Sequence, residues 1–213
     1  MNMNLLQGKN VYAFGDSIVY GHTAPETSFM QLIADETKIT LTMNAKNGAT
    51  VIDTGENTIV TQVRNASCLK PDIVLFDGYT NDAYSCVLKN IGYPKGRNET
   101  SFDNKTFCGA FEEIIYTIKT KWPDAKLLFV AVHKNAARDW SVQLTLHDAA
   151  VAICREWGVE IADVFSDTAF DTRDADQMKE FIIGASGSHP NEAGYRKFYI
   201  PLVIEKLCAL EQM

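Results

Sequence analysis

Apolar residues along this chain fall in short runs separated by longer stretches in which they recur at helical spacing. That alternation is the pattern of a parallel sheet whose strands are covered on both faces by crossover helices. It predicts strands over Asn10–Phe14, Ile39–Met43, Asp72–Phe76, Lys126–Val132 and Val159–Ala162. Between them it predicts helices over Ser28–Glu36, Phe107–Lys121 and Val142–Trp157, with a last one near Ala193–Leu207. Pro71, Pro123 and Pro190 stand at the boundaries, where a missing N–H costs little. The expected fold is α/β in three layers, with a parallel sheet of about five strands. No Pro/Gly/Ser-rich stretch divides the 213 residues, so one domain over 1–213 is expected.

Two stretches are long for connections in such a fold: Ala83–Thr106 and Val164–Ser188. Both follow the carboxyl ends of predicted strands. Ligands bind at that edge of open α/β sheets, so the two segments are expected to wall or cover a site.

Composition narrows the classes of function. Apolar residues at 46% and charged residues at 22% supply a two-sided core and argue against disorder. The net charge of −7, with scattered acidic residues, disfavours nucleic acid or an anionic membrane as the main partner. The longest apolar runs, such as Leu127–Val132, are too short to span a bilayer. The polar stretch Met1–Asn10 is not a basic-then-apolar leader, so a soluble, cytoplasmic protein is expected. Cys68, Cys86, Cys108, Cys154 and Cys208 form an odd set without Cys-x-x-Cys spacing. They fit reduced packing thiols better than disulfides or a zinc site. The sequons at Asn65, Asn98 and Asn104 carry little weight without a secretory signal.

Candidate chemistry begins directly after the first predicted strand, at Phe14-Gly15-Asp16-Ser17-Ile18. A serine on a strand-to-helix turn exposes its hydroxyl to substrate while backbone N–H groups point toward a developing oxyanion. Read alone, Asp16 and Ser17 would merely cap the next helix. Three further segments change that balance: Gly48 after the second strand, Asn81-Asp82 after the third, and His189-Pro190-Asn191-Glu192-Ala193-Gly194 before the last helix. Each has its own bland reading, since Gly48 and Asn81 suit turns and His189 could be buried or capping. All four segments are expected on one sheet edge.

Gly15-Asp16-Ser17, Gly48, Asn81-Asp82 and the His189–Gly194 block resemble, in order, the four blocks of the SGNH (GDSL-like) hydrolases. The resemblance spans nearly the whole chain and implies a flavodoxin-like SGNH fold. It implies Ser17 as nucleophile and His189 as general base and then acid. It also implies an oxyanion hole made by the Ser17 and Gly48 N–H groups and the Asn81 side-chain amide. The activity implied is hydrolysis of carboxylic esters, short acyl or acetyl esters on carbohydrate among them, without cofactor or metal. The partner is then a small-molecule ester. Chemistry supports each role, because a serine hydroxyl needs an imidazole to take its proton and a tetrahedral oxyanion needs preset donors. His22, His133 and His147 lack a comparable setting and read as surface, lining or packing residues.

Two positions depart from the family. Ser186 stands three residues before His189, where the family places an aspartate. A hydroxyl can fix the ring's tautomer but brings no full negative charge to the imidazolium. Three arrangements follow: a Ser17–His189 dyad oriented by Ser186 or a backbone carbonyl, an acid recruited from elsewhere, or a weakened enzyme. The dyad ranks first, and Asp167, Asp171, Asp174 and Asp176 are the nearest candidates for a recruited acid. Tyr79 occupies the place of a glycine in Gly-x-Asn-Asp; it would crowd the pocket, offer a hydroxyl or pack against the adjacent strand. Phe14, Tyr20, Tyr79, Tyr84 and Trp140 could form an apolar or sugar-stacking surface, although aromatics in such a fold are more often core. The competing class is a ligand-binding domain that lost turnover with its aspartate.

Overall fold

Strands buried on both faces cannot alternate apolar and polar residues, and the third strand shows this most fully. In the computed structural model, which describes residues 3–67, 69–84, 90–184 and 186–212, all six residues of β3 (Ile73–Gly78) are buried. Cys68, Cys86 and part of the Ala83–Thr106 stretch lie outside the described residues. β1 (Asn10–Phe14), β2 (Thr40–Met43), β4 (Lys126–Ala131) and β5 (Glu160–Asp163) complete a parallel sheet in the order β2-β1-β3-β4-β5. β2 and β5 are its half-exposed edges.

The helices take the positions that the apolar period requires. Ser28 caps α2 (Phe29–Thr37), Thr106 caps α4 (Phe107–Lys121) and Asp139 caps α5 (Trp140–Trp157), each side chain accepting a first-turn N–H. The turn α1 (Ser17–Tyr20) and the helix α3 (Ile59–Asn65) were not among the sequence expectations. α3 is rich in β-branched residues, and its start is set by a reciprocal capping box between Thr58 and Thr61. α3, α4 and α5 pack in a row on one face of the sheet, while α2 and the final helix pack on the other.

The Val164–Ser188 stretch is more ordered than a connection. It holds α6 (Val164–Asp167) and α7 (Ala175–Phe181), capped by Asp163 and Asp174. The last helix also differs from a single expected segment. α8 (Glu192–Gly194) runs into a π-helical turn over Tyr195–Tyr199 and then into α9 (Ile200–Leu210), with the Ile200 N–H donating to the Tyr195 carbonyl. Pro201 has no N–H to continue the regular ladder, and the wider turn absorbs the mismatch.

Topology fixes where a site can form. Chain direction across the sheet reverses between β1 and β3, the switch point at whose carboxyl edge a crevice opens. Phe14 lies opposite Phe76 in register, so Gly15-Asp16 leaves β1 beside Asp77-Gly78 of β3.

Candidate active site

Ser17 is the first residue of α1, and its position is set by groups from both strands. The Asp16 N–H donates to Asp77 Oδ1 at 2.9 Å, and Gln62 from α3 bonds both the N–H and the carbonyl of Gly15. Gly15 adopts φ +143°, and a Cβ there would meet Asp77 Oδ1 at 2.0 Å, so only glycine permits this approach of β1 to β3. Asp16 then caps the turn by accepting the Ile18 N–H at 2.7 Å. The capping role that the Asp-Ser pair suggested is real, and Asp16 fills it while Ser17 faces the crevice.

His189 arrives from the other end of the chain on a tied-down segment. Ile182 and Pro190 form an antiparallel bridge, the Ile183 N–H donates to the His189 carbonyl at 2.8 Å, and the Asn191 N–H donates to the Phe181 carbonyl at 2.8 Å. Asn191 caps α8 through its side chain, which also donates to the Glu180 carbonyl. The result places His189 Nε2 at 2.9 Å from Ser17 Oγ across 172 residues of sequence.

No described carboxylate completes a triad. Ser186 lines the same pocket, but its Oγ accepts the Ser188 N–H and is not bonded to His189. Asp171 pairs with Arg173, Asp174 caps α7, and among the described residues none of Asp167, Asp171, Asp174 or Asp176 bonds the His189 ring, whose hydrogen bond is to Ser17. Instead the His22 ring lies flat on His189, with centroids 3.7 Å apart and planes within 3°. Burial, then His22 and Arg138, pushes the His189 pKa down to about 4, so the ring is neutral at ordinary pH. His22 itself sits at φ 52°, donating its N–H to the Ser17 carbonyl.

The candidate donors converge on the same mouth. Gly48 turns at φ +75°, and neither its N–H nor that of Ser17 meets a protein acceptor among the described residues. Asn81 Nδ2 donates to the Ala49 carbonyl at 2.9 Å and to Asp16 Oδ2 at 3.3 Å. Asp82 accepts the N–H groups of Val51 and Ile52, which ties the turn after β3 to the loop that carries Gly48. Burial raises Asp16 to about 6 and Asp82 to about 7. Burial and the charge of Asp16 push the Asp77 carboxyl well above its ordinary value.

Ser17, Gly48, Asn81, Ser186 and His189 thus meet at one pocket of about 240 Å³. Two residues that sequence reasoning left aside also face it: His22, and Arg138 from the turn after β4. Neither belongs to a motif that a single sequence would flag. Tyr79 does not crowd the pocket. It takes the left-handed conformation, φ 70°, that a glycine would adopt freely, and buries its ring against Phe129 with its hydroxyl donating to the Val132 carbonyl. Of the suggested aromatics only Tyr84 lines the pocket; Phe14 is core and Trp140 stacks on Phe165. Among the described residues, no group of three or more His, Cys, Asp or Glu is placed to hold a metal ion, and no helix is long and apolar enough to cross a membrane.

A five-stranded parallel sheet with these blocks gathered at its carboxyl edge defines the SGNH-type hydrolase fold. The chain belongs to the GDSL-like lipase/acylhydrolase family, whose sequence profile matches residues 13–197, and so stands among hydrolases of ester bonds. Solved structures show the same architecture at low identity. A protein from Lactobacillus plantarum superposes with a TM-score of 0.77 at 18% identity, covering 95% of this chain and 96% of that one. A member of the lipolytic G-D-S-L family from Veillonella parvula gives 0.63 at 16% identity, over 92% and 96%. Phospholipase A1 from Streptomyces albidoflavus gives 0.63 at 17% identity, over 93% and 99%. Among curated proteins no relative matches.

Proposed function

We propose that the protein hydrolyses carboxylic esters through an acyl-serine intermediate, with Ser17 and His189 working as a dyad. The observation that carries this reading is the 2.9 Å approach of Ser17 Oγ to His189 Nε2 beside two unengaged N–H groups. Ser17 Oγ attacks the carbonyl carbon as its proton passes to Nε2. The oxyanion so formed is held by the Ser17 and Gly48 N–H groups, with Asn81 sharing the hydrogen now in its longer contact to Asp16. Collapse breaks the ester C–O bond, and the imidazolium returns its proton to the leaving alcohol. Water then repeats the sequence on the acyl-serine, releasing the acid.

Without a carboxylate on its far nitrogen, the ring needs another support. Stacking on His22 supplies one by fixing the plane of the imidazole, so that Nε2 keeps its aim at Ser17. The buried thiols of Cys108 and Cys154, which form no disulfide among the described residues, agree with the cytoplasmic setting that the sequence suggests. The competing reading, a binding domain without turnover, draws on the same missing charge. Labelling decides between them. A fluorophosphonate should modify Ser17 stoichiometrically, and p-nitrophenyl acetate should be hydrolysed by the wild type and not by Ser17→Ala. Equal rates for the two proteins would remove the assignment.

A further inference from the structure

The pocket has a charge of its own, opposite to that of the whole molecule. Arg138 reaches it with a guanidinium that is held rather than free. Its Nε donates to the Thr80 carbonyl at 2.7 Å, and one NH1 hydrogen goes to the Ala137 carbonyl at 3.0 Å. Its plane rests on the Tyr84 ring, with the central carbon 3.6 Å from the ring centroid. Of its five N–H donors two go to carbonyls and Tyr84 is a further side-chain partner, which leaves part of the fork for a ligand. Among the described residues Arg138 has no ion-pair partner, and none of the residues lining the pocket bears a carboxylate. Asp16 acts on it through space, but that carboxylate is turned to the Ile18 N–H and to Asn81.

We propose that Arg138 is an oxyanion-binding subsite that selects esters carrying a carboxylate or phosphate group within reach of the scissile carbonyl. This rests on the reading of Ser17 as nucleophile and adds the substrate class to it. The fork is fixed by two carbonyls and an aromatic face, so little side-chain entropy remains to be lost when an anion binds. Partial burial strengthens the bond, since Arg138 has already given up part of its hydration. An anion there has a second effect. Arg138 disfavours the protonated His189 ring, and a bound negative charge offsets that field as the imidazolium forms. The substrate then brings the negative charge that position 186 lacks. The gain therefore falls on turnover as well as on binding.

The test compares matched esters with and without an anion, at low salt. On the acyl side the pair is mono-p-nitrophenyl succinate and p-nitrophenyl pentanoate. On the alcohol side, acetoxyacetate and 2-acetoxyethyl phosphate are each set against 2-methoxyethyl acetate, which separates carboxylate from phosphate. At least one anionic ester should exceed its neutral partner about ten- to a hundredfold in kcat/KM, the factor that a charge-assisted forked bond supplies. Arg138→Gln should collapse that ratio toward one, and Arg138→Lys should restore part of it. The readout is the ratio, so a general loss of rate from the Thr80 contact cancels. If Arg138→Gln does not fold, the wild-type ratio and the Arg138→Lys ratio decide alone. A Ser17-dependent enzyme that shows no anion preference, or keeps it without Arg138, overturns the subsite and leaves the esterase reading intact. Hydrolysis that survives Ser17→Ala overturns the esterase reading first.

Discussion

At the scale of single residues, the unusual feature is a catalytic-type histidine supported by a ring. The proposed general base is neutral above about pH 4 because burial, then the neighbouring His22 and Arg138, disfavour its protonation. The acid limb of kcat/KM should therefore lie well below that of an ordinary histidine, with a plateau reaching down to about pH 5. His22→Ala removes both the stack and the neighbour that helps to lower the His189 pKa. It should lower turnover on the plateau and move the acid limb to higher pH. His22→Phe keeps a stacked ring but not a titratable one, so it should restore much of the turnover while leaving the limb shifted. A purely structural histidine would give lost rate with an unmoved limb, and pH–rate profiles of the three proteins separate the cases. Ser17, Gly48, Asn81 and His189 were each legible in the sequence because they sit in local motifs. Arg138 and His22 were not, because a lone arginine after a strand and a lone histidine after a turn have no local signature. Their meaning comes from what they stack on.

Elements hold these residues by exchanges that the linear pattern only partly shows. α4 follows its apolar period to both ends, Phe107 and Lys121, as expected. α3 escaped notice because Ile, Val and Thr in sequence suggest a strand, and its capping box and its packing on β1 and α4 override that preference. The turn between β3 and Asn81 shows a local conflict settled by packing. Tyr79 in the left-handed region costs about 1–2 kcal/mol, and the buried ring and its bond to the Val132 carbonyl offset this. Tyr79→Phe should cost only that hydrogen bond, about 1 kcal/mol in urea unfolding. Tyr79→Gly relieves the backbone yet empties a large core position, so it should cost several times more. If Tyr79→Gly were the more stable of the two, backbone strain rather than packing would govern this turn.

For the whole molecule, burying three carboxylates beneath the site makes stability depend on pH. Asp16, Asp77 and Asp82 all hold their protons more tightly than in the unfolded chain, so their contribution is full below about pH 4 and is lost as pH rises toward their folded values. His133 and His189, both lowered to about 4, oppose this trend below pH 6.5 and are silent above it. The decline should therefore be clearest just above pH 6.5, where the two histidines are silent and Asp82, raised to about 7, is still losing its proton. Asp77→Asn cannot titrate, so its melting temperature relative to the wild type should rise as the pH climbs above the unfolded carboxylate value of about 4 toward the raised folded one. A constant difference would mean that Asp77 is ionised in the folded protein. The sequence by itself determined the succession of strands and helices along the chain, the layered α/β class and the four blocks. These rest on period and turn chemistry, which are local properties of neighbouring residues. Only the tertiary structure decided that Ser186 bonds the Ser188 N–H and not the ring, that His22 lies on it, that Tyr79 faces the core and that the Arg138 guanidinium lines the pocket. Each of those depends on side chains from elements distant in sequence, whose distances are set by how the helices pack across the sheet.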